Sequence, residues 1–197
     1  TEGRAVLLIE VDGDRDLIEK QAARIHELIK PLGLVQFRAA KDAVESEELW
    51  RVRRLVSPSL RDINPTKYNE DVVVPRSKVP DIIRSIEKIQ EKYDIPIVNF
   101  GHAGDGNIHV NIMVDKDVPG MDEKAHLAIR DVFQAALDLN GTMSGEHGVG
   151  LSKAPYIELE LSKDQIGAMK AIKAALDPKN ILNPGKMFPW QEKSHDA

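Results

Sequence analysis

The stretch His102-Ala-Gly-Asp-Gly-Asn-Ile-His109 sets two imidazoles around a glycine-rich turn, and Ser144-Gly-Glu-His-Gly-Val-Gly150 places an acid and a third imidazole in a second glycine-framed loop. Imidazole nitrogen and carboxylate oxygen are the ligands of zinc, manganese and iron sites that use no sulfur. If Asp105-Gly106 form the centre of a two-residue hairpin turn, as that dipeptide favours, then Gly104 faces Asn107, Ala103 faces Ile108 and His102 faces His109. Opposed residues share a face, with Cβ atoms roughly 5 Å apart. Strand alternation puts Ile108, Val110, Ile112 and Val114 on one side, with His109 and Asn111 on the other. The apolar side should be the core, and the polar side should carry two imidazoles and an amide.

A lone histidine on a sheet face is usually only tolerated there, and a lone Glu-His pair in a loop is usually solvated. The combination carries the argument. The glycines flanking Glu146-His147 allow backbone angles that let adjacent side chains share one cavity. Glu146 can then complete a set of two histidines and one carboxylate, leaving coordination positions open for catalysis or ligand binding.

A third group is basic. Arg53 and Ser57 stand one helical turn apart, with Arg51, Arg54 and Arg61 nearby and Lys67 in the following loop. A guanidinium beside a hydroxyl suits a carboxylate ligand. Taken alone, however, the group reads more simply as a solvated face laced with Glu45, Glu47 and Glu48. His26, His126 and His195 show no comparable company. Trp50, Phe188 and Trp190 read as packing residues.

These side chains need elements to hold them. Residues 6–11 form a compact β-rich run ended by Asp12-Gly13-Asp14, and residues 15–30 carry the apolar stripe of an amphipathic helix, stopped by Pro31 and Gly33. A second strand is expected over 34–39 and a helix over 41–57, ended or kinked by Pro58. A strand over 71–74, a helix from Arg76 to about Tyr93, strands over 95–101 and 108–114, and a helix over 122–139 follow. The last helix, 162–176, opens on Ser162 and Asp164 as cap and dipole partner. The segment Asp177-Pro-Lys-Asn-Ile-Leu-Asn-Pro-Gly-Lys186 is too rich in proline and glycine for regular structure. This order predicts an α+β fold: a ferredoxin-like, mainly antiparallel sheet with helices on one face, plus a loop-rich helical C-terminal tail. Residues 1–139 would form the substrate-binding domain, with ferredoxin-like halves. Residues 140–197 would carry the glycine-rich metal loop, a helix and the tail.

Composition sets outer limits. The 197 residues are 42% hydrophobic and 30% charged with a net charge of -5, an ordinary globular balance without the basic stripe of a nucleic-acid binder. No apolar run approaches the roughly 20 residues that cross a bilayer. With no cysteine, thiolate metal sites and disulfides are excluded, which is compatible with a cytoplasmic location, peripheral to the membrane through partners if attached at all. The start Thr1-Glu-Gly-Arg lacks a methionine and runs at once into a buried-looking strand, so a fragment of a longer protein is expected.

Three ordered motifs, His102–His109, Gly145-Glu-His-Gly148 and Asp177–Lys186, resemble the C-terminal domain of FAD-linked D-2-hydroxy-acid dehydrogenases and oxidases. These include D-lactate dehydrogenases, the flavin subunit of glycolate oxidase and D-2-hydroxyglutarate dehydrogenase, among the vanillyl-alcohol-oxidase-like flavoproteins. The resemblance covers nearly the whole chain. It implies metal ligation by His102, His109 and Glu146, with zinc first and manganese or iron as alternatives. It implies substrate contacts from Asn111 and His147, with His147 as the catalytic base. Arg53 and Lys67 would hold the substrate's carboxylates, Ser57 falls where relatives can carry threonine, and Asn183 would neighbour the flavin. FAD itself would bind mainly to an N-terminal domain or subunit that this chain lacks, and no dinucleotide-type glycine fingerprint is present. The implied partners are a small 2-hydroxy acid, a flavin-binding domain or subunit and an unspecified electron acceptor; a homodimer is compatible. The implied function is the substrate- and metal-binding half of a flavin-dependent oxidoreductase, inactive by itself.

Two other readings stay open from residues alone. A stand-alone metal-dependent hydrolase could use the same ligands and a bound water, although the His-Glu-x-x-His helix that commonly supports such chemistry is absent. A non-catalytic carboxylate-binding module could use the same scaffold without turnover.

Overall fold

The computed structural model describes residues 5–188; the first four residues, Trp190 and His195 lie outside them. The chain divides into two compact units, one ending at Ser59 and one beginning at Leu60.

The first unit holds α1 (Arg15–Ile29) and α2 (Ala43–Ser59). His26 on α1 stacks on Phe37 with ring centroids 4.3 Å apart. α2 runs one residue past Pro58, so the proline sits in the last turn, where it forgoes one helix hydrogen bond, to the Arg54 carbonyl, just before the helix ends. The two strands expected over 6–11 and 34–39 do not form: neither run joins a ladder among the described residues. Their apolar alternation is real, but a strand needs an edge to bond to, and Val6, Leu7, Ile9 and Val35 stay exposed.

The second unit is an α+β layer. Its strands are β1 (Thr66–Val73), β2 (Ile97–His102) and β3 (Asn107–Val114), in the order β1-β3-β2 with both pairings antiparallel. α3 (Val79–Tyr93) connects β1 to β2, and α4 (Met121–Asp138) follows β3. A single antiparallel bridge joins Thr142 to Val73 on the free side of β1. The chain thus follows a β-α-β-β-α-β path, with the fourth strand reduced to one bridge.

Side-chain spacing builds the core. On α3, Ile82, Ile86 and Ile89 recur along one face and are buried, as are Ala125, Ile129, Val132, Phe133 and Ala136 on α4. They cover the sheet face formed by Val72, Ile108, Val110, Ile112 and Val114. The opposite face carries Asp71, His109 and Asn111, whereas Glu70, opposite Val110, lies on the core face. α5 (Lys163–Leu176) starts with a full capping box between Ser162 and Gln165, which satisfies two otherwise unpaired donors. Beyond it, the Asp177 carboxylate accepts the amides of Ile181 and Leu182, each at 3.0 Å. The irregular tail is therefore a built turn.

Candidate metal and substrate site

The hairpin between β2 and β3 differs from the two-residue turn expected. His102 pairs with Asn107, Gly101 with Ile108 and Phe100 with His109, so four residues, 103–106, form the loop. The His102 carbonyl accepts the amides of both Asp105 and Gly106, at 3.3 and 3.0 Å, and Asp105 Oδ1 accepts the Asn107 amide at 3.0 Å. This wider wrap moves every pair by two residues. His102 and His109 are therefore diagonal neighbours and not cross-strand partners. They still share a face, and their rings meet edge-on with centroids 5.5 Å apart.

Gly106 makes the wrap feasible. Its φ is +84°, and a Cβ there would fall 2.0 Å from the Val74 carbonyl oxygen. Its own carbonyl accepts the Val74 amide at 3.1 Å, which ties the hairpin tip to the end of β1.

The second loop reaches the same face because β1 holds it. Asp71, directly opposite His109 in the β1–β3 register, is fully buried. Its Oδ2 accepts three consecutive backbone amides, from Gly145 at 2.9 Å, Glu146 at 2.5 Å and His147 at 3.2 Å. Lys153, also buried, pairs with Asp71 Oδ1 and donates to the Asp71 carbonyl at 3.0 Å. Burial alone would raise the Asp71 carboxyl, but Lys153 and the amides of Glu146 and His147 outweigh it and hold the group below the usual carboxylate range.

The loop so anchored brings Glu146 Oε1 to 3.1 Å from His109 Nε2. One ligand atom from each of His102, His109 and Glu146 lies within 4.8 Å of the others. His147 stacks on His109 with centroids 5.3 Å apart and an interplanar angle of 16°, and its Nδ1 stands 3.3 Å from Asp71 Oδ1.

The donor set fits a divalent cation. Burial pushes the His109 imidazole below its ordinary range, and His147 and His102 push the same way, against Glu146 and Asp71. A neutral imidazole offers a lone pair, which is the ligating form. His109 Nδ1 and Asn111 Oδ1 are buried without a hydrogen-bond partner, whereas the Glu146 side chain is half-exposed. The cluster is thus preformed on its buried side and open to solvent on the other.

The remaining expected residues fall as follows. Asn111 lies on the same face of β3, its Nδ2 donating to the Val98 carbonyl at 3.0 Å. Lys67 belongs to β1 and not to a loop; it lies opposite Met113, and its alternation places it on the same face as Asp71. Arg53 and Ser57, both half-buried, sit on α2 in the first unit. Neighbouring Arg54 pairs with Glu47, and Arg38 with Glu48 at 3.0 Å, so part of this basic group is the solvated network it resembled. Asn183 is exposed in the tail with φ of 49°. His126 is less isolated than its sequence neighbours implied, its Nδ1 lying 3.0 Å from the Tyr156 hydroxyl.

Sequence reasoning missed Asp71 and Lys153. A signal existed. Glu70 and Asp71 are adjacent acids leading into Val72-Val73-Val74, and strand alternation sends one acid to each face, so at least one faces burial.

Comparisons with known proteins place the chain in a family. Residues 1–187 match the family model described as FAD linked oxidases, C-terminal domain. The chain is 44% identical over 188 residues to the glycolate oxidase subunit GlcD of Bacillus subtilis, covering 95% of this chain and 40% of that protein. It is 40% identical over 147 residues to D-2-hydroxyglutarate dehydrogenase of Stutzerimonas stutzeri, covering 72% and 31%. It is 33% identical over 189 residues to a probable mitochondrial D-lactate dehydrogenase of Danio rerio, covering 92% and 37%. The chain therefore spans about two fifths or less of the length of these relatives. Among solved structures, 4-ethylphenol oxidase from Gulosibacter chungangensis superposes with a TM-score of 0.62 at 18% identity, covering 91% of this chain and 38% of that one, which shows a shared fold. With the family model matching nearly end to end, the chain belongs to the C-terminal domain family of the FAD linked oxidases.

Proposed function

We propose that this chain is the substrate- and metal-binding part of a flavin-dependent oxidoreductase that converts a small D-2-hydroxy acid, such as lactate, glycolate or 2-hydroxyglutarate, to the 2-oxo acid. The observation that carries it is the convergence of His102, His109 and Glu146 within 4.8 Å, beside a third imidazole, in a chain whose relatives are named for those substrates. Family membership also weighs against the hydrolase and the non-catalytic module. In functional terms, residues 1–139 would bind substrate, and residues 140–197 would supply the metal loop and the tail that faces the flavin.

His102, His109 and Glu146 would hold the cation, for which nitrogen and oxygen donors suit zinc first and manganese or iron next. A bound cation supplies Lewis acidity to the substrate's hydroxyl, and FAD supplies the hydride acceptor. His147 would take the hydroxyl proton as the C2–H bond breaks and the carbonyl forms. Its Nδ1 faces the Asp71 carboxylate, which favours the tautomer with a free lone pair on Nε2. Asn111 Oδ1, without a hydrogen-bond partner, would accept a polar group of the substrate. Arg53, Ser57 and Lys67 would fix its carboxylates so that C2 faces the flavin, and Asn183 would lie near the flavin ring.

Anaerobic mixing of the flavin-loaded protein with D-lactate, glycolate and D-2-hydroxyglutarate tests this reading. Visible flavin absorbance should fall with at least one of them, should not fall after metal stripping, and should respond again once zinc or manganese is restored. Full bleaching by the metal-stripped protein would remove the cation from the function. Turnover of an ester without flavin would favour the hydrolase.

A further inference from the structure

We infer that Asp71 is a positioning residue that sets the geometry of both Glu146 and His147 by clamping the backbone of their loop against the strand pair that carries His109. The inference rests on the reading of the site given above. Glu146 and His147 are adjacent residues in a loop that belongs to no helix or strand. Such a segment samples many conformations unless something fixes its backbone. Here the fixing group is one carboxylate that accepts three successive amides, a concentration of charge-assisted bonds stronger than ordinary neutral ones.

The clamp is registered to the site and not merely near it. Asp71 lies directly opposite His109, so the residue that holds the loop and the residue the loop must meet are paired across one ladder. Any shift of the loop relative to Asp71 is a shift of the Glu146 carboxylate relative to the His109 ring. The same carboxylate reaches His147 twice, through its backbone amide and through Oδ1 beside Nδ1. It therefore bears on where the ring sits and on which nitrogen keeps its proton.

Two further features belong to the device. Lys153 supplies the cation that lets a carboxylate remain ionised while fully buried. Gly145 supplies the clearance, because a Cβ there would fall 2.8 Å from Asp71 Oδ2, Asn107 Oδ1 and Val73 Cγ2. Only a residue without a side chain lets the loop lie this close to the clamp.

The test uses the 197-residue chain with two readouts: zinc affinity by competition with a chromophoric chelator, and the ring ¹⁵N shifts of His147 in the metal-free chain. The parent should bind zinc and show His147 protonated at Nδ1. Asp71→Asn should weaken zinc binding roughly 10–100-fold, the loss typical when a group orienting a metal ligand is removed, and should shift His147 toward mixed tautomers. Asp71→Asn also strands the Lys153 ammonium and could impair folding, so Gly145→Ala is the second variant. It keeps both the Asp71 carboxylate and the Lys153 ammonium while its Cβ presses the loop and Asp71 Oδ2 apart, and the same two changes are expected. A purely structural role for Asp71 predicts instead a lower melting temperature with affinity and tautomer unchanged in the folded protein. That outcome overturns the inference. Should the parent bind no zinc, the metal reading fails by itself, and the His147 tautomer in Asp71→Asn decides the positioning role.

Discussion

His109 Nε2 and Glu146 Oε1 stand 3.1 Å apart at the meeting of two unlike environments, the imidazole side chain 8% exposed on the central strand and the carboxylate side chain 53% exposed on a loop. The difference separates what each contributes. Replacing His109 removes a ligand and a buried ring that packs against Phe100 and His147. Replacing Glu146 with Gln removes a charge at the solvent edge and leaves the packing alone. His109→Ala should therefore lose bound metal by more than the roughly 10–100-fold typical of an orienting partner, with a fall in stability as well. Glu146→Gln should lose metal with an unchanged melting temperature. Elemental analysis beside thermal denaturation of both variants checks the pair. Equal metal content in the parent and both variants would leave the cluster without a cation.

His147 makes a different prediction because it adjoins the cluster without belonging to the three-ligand set. His147→Ala should keep its metal yet lower kcat of the flavin-loaded protein roughly 10²–10⁴-fold, the usual contribution of a positioned base, with a smaller change in KM. Stopped-flow reduction by a 2-hydroxy acid measures it. Parent-like reduction in a metal-replete His147→Ala protein would exclude the base role.

The two faces of the β2–β3 hairpin were legible in the sequence although the register was not. A pairing shifted by two residues keeps every side chain on its own face, because the side-chain period of a strand is two. Ile108, Val110 and Ile112 therefore reach the core, and His109 and Asn111 the site, under either register. What the sequence hid was the identity of the neighbours, which turned on the double acceptance at the His102 carbonyl. Asp71 was hidden by distance, since the amides it binds lie 74 to 76 residues further along the chain. Local pattern carries no information at that separation. The runs at 6–11 and 34–39 failed for a related reason: alternation shows that a strand is possible, and only a partner edge makes one.

Gly106 tests the hairpin geometry directly. Its φ of +84° is unfavourable for a side chain, and the added Cβ would meet backbone at 2.0 Å and not a side chain that could swing away. Gly106→Ala should cost more than about 1 kcal/mol, because alanine is incompatible with a positive φ. It should also separate His102 from His109, because the loop ends on His102. Urea denaturation and zinc affinity should fall together. A stable variant with unchanged affinity would mean that the turn has freedom the close approach to Val74 does not allow.

Glu70 gives the pH dependence. It lies on the core face of β1, 2% exposed, with Oε2 lacking a hydrogen-bond partner. Burial pushes its carboxyl up to about 7, helped by Asp71 and opposed by Lys153. The folded pKa thus exceeds the unfolded one, so the folded state holds the proton more tightly. The associated stability is fully present below the ordinary carboxyl range and is lost as pH rises from about 4.5 through about 7. Glu70→Gln mimics the protonated form at every pH. It should therefore raise stability at pH 8 by on the order of 3 kcal/mol, the shift from 4.5 to about 7 taken at about 1.4 kcal/mol per pKa unit, and change little at pH 4.5. Chemical denaturation of both proteins at the two pH values measures the difference. A gain of equal size at both would show that Glu70 ionises normally inside the fold, and the gain at pH 8 would then have to come from packing alone.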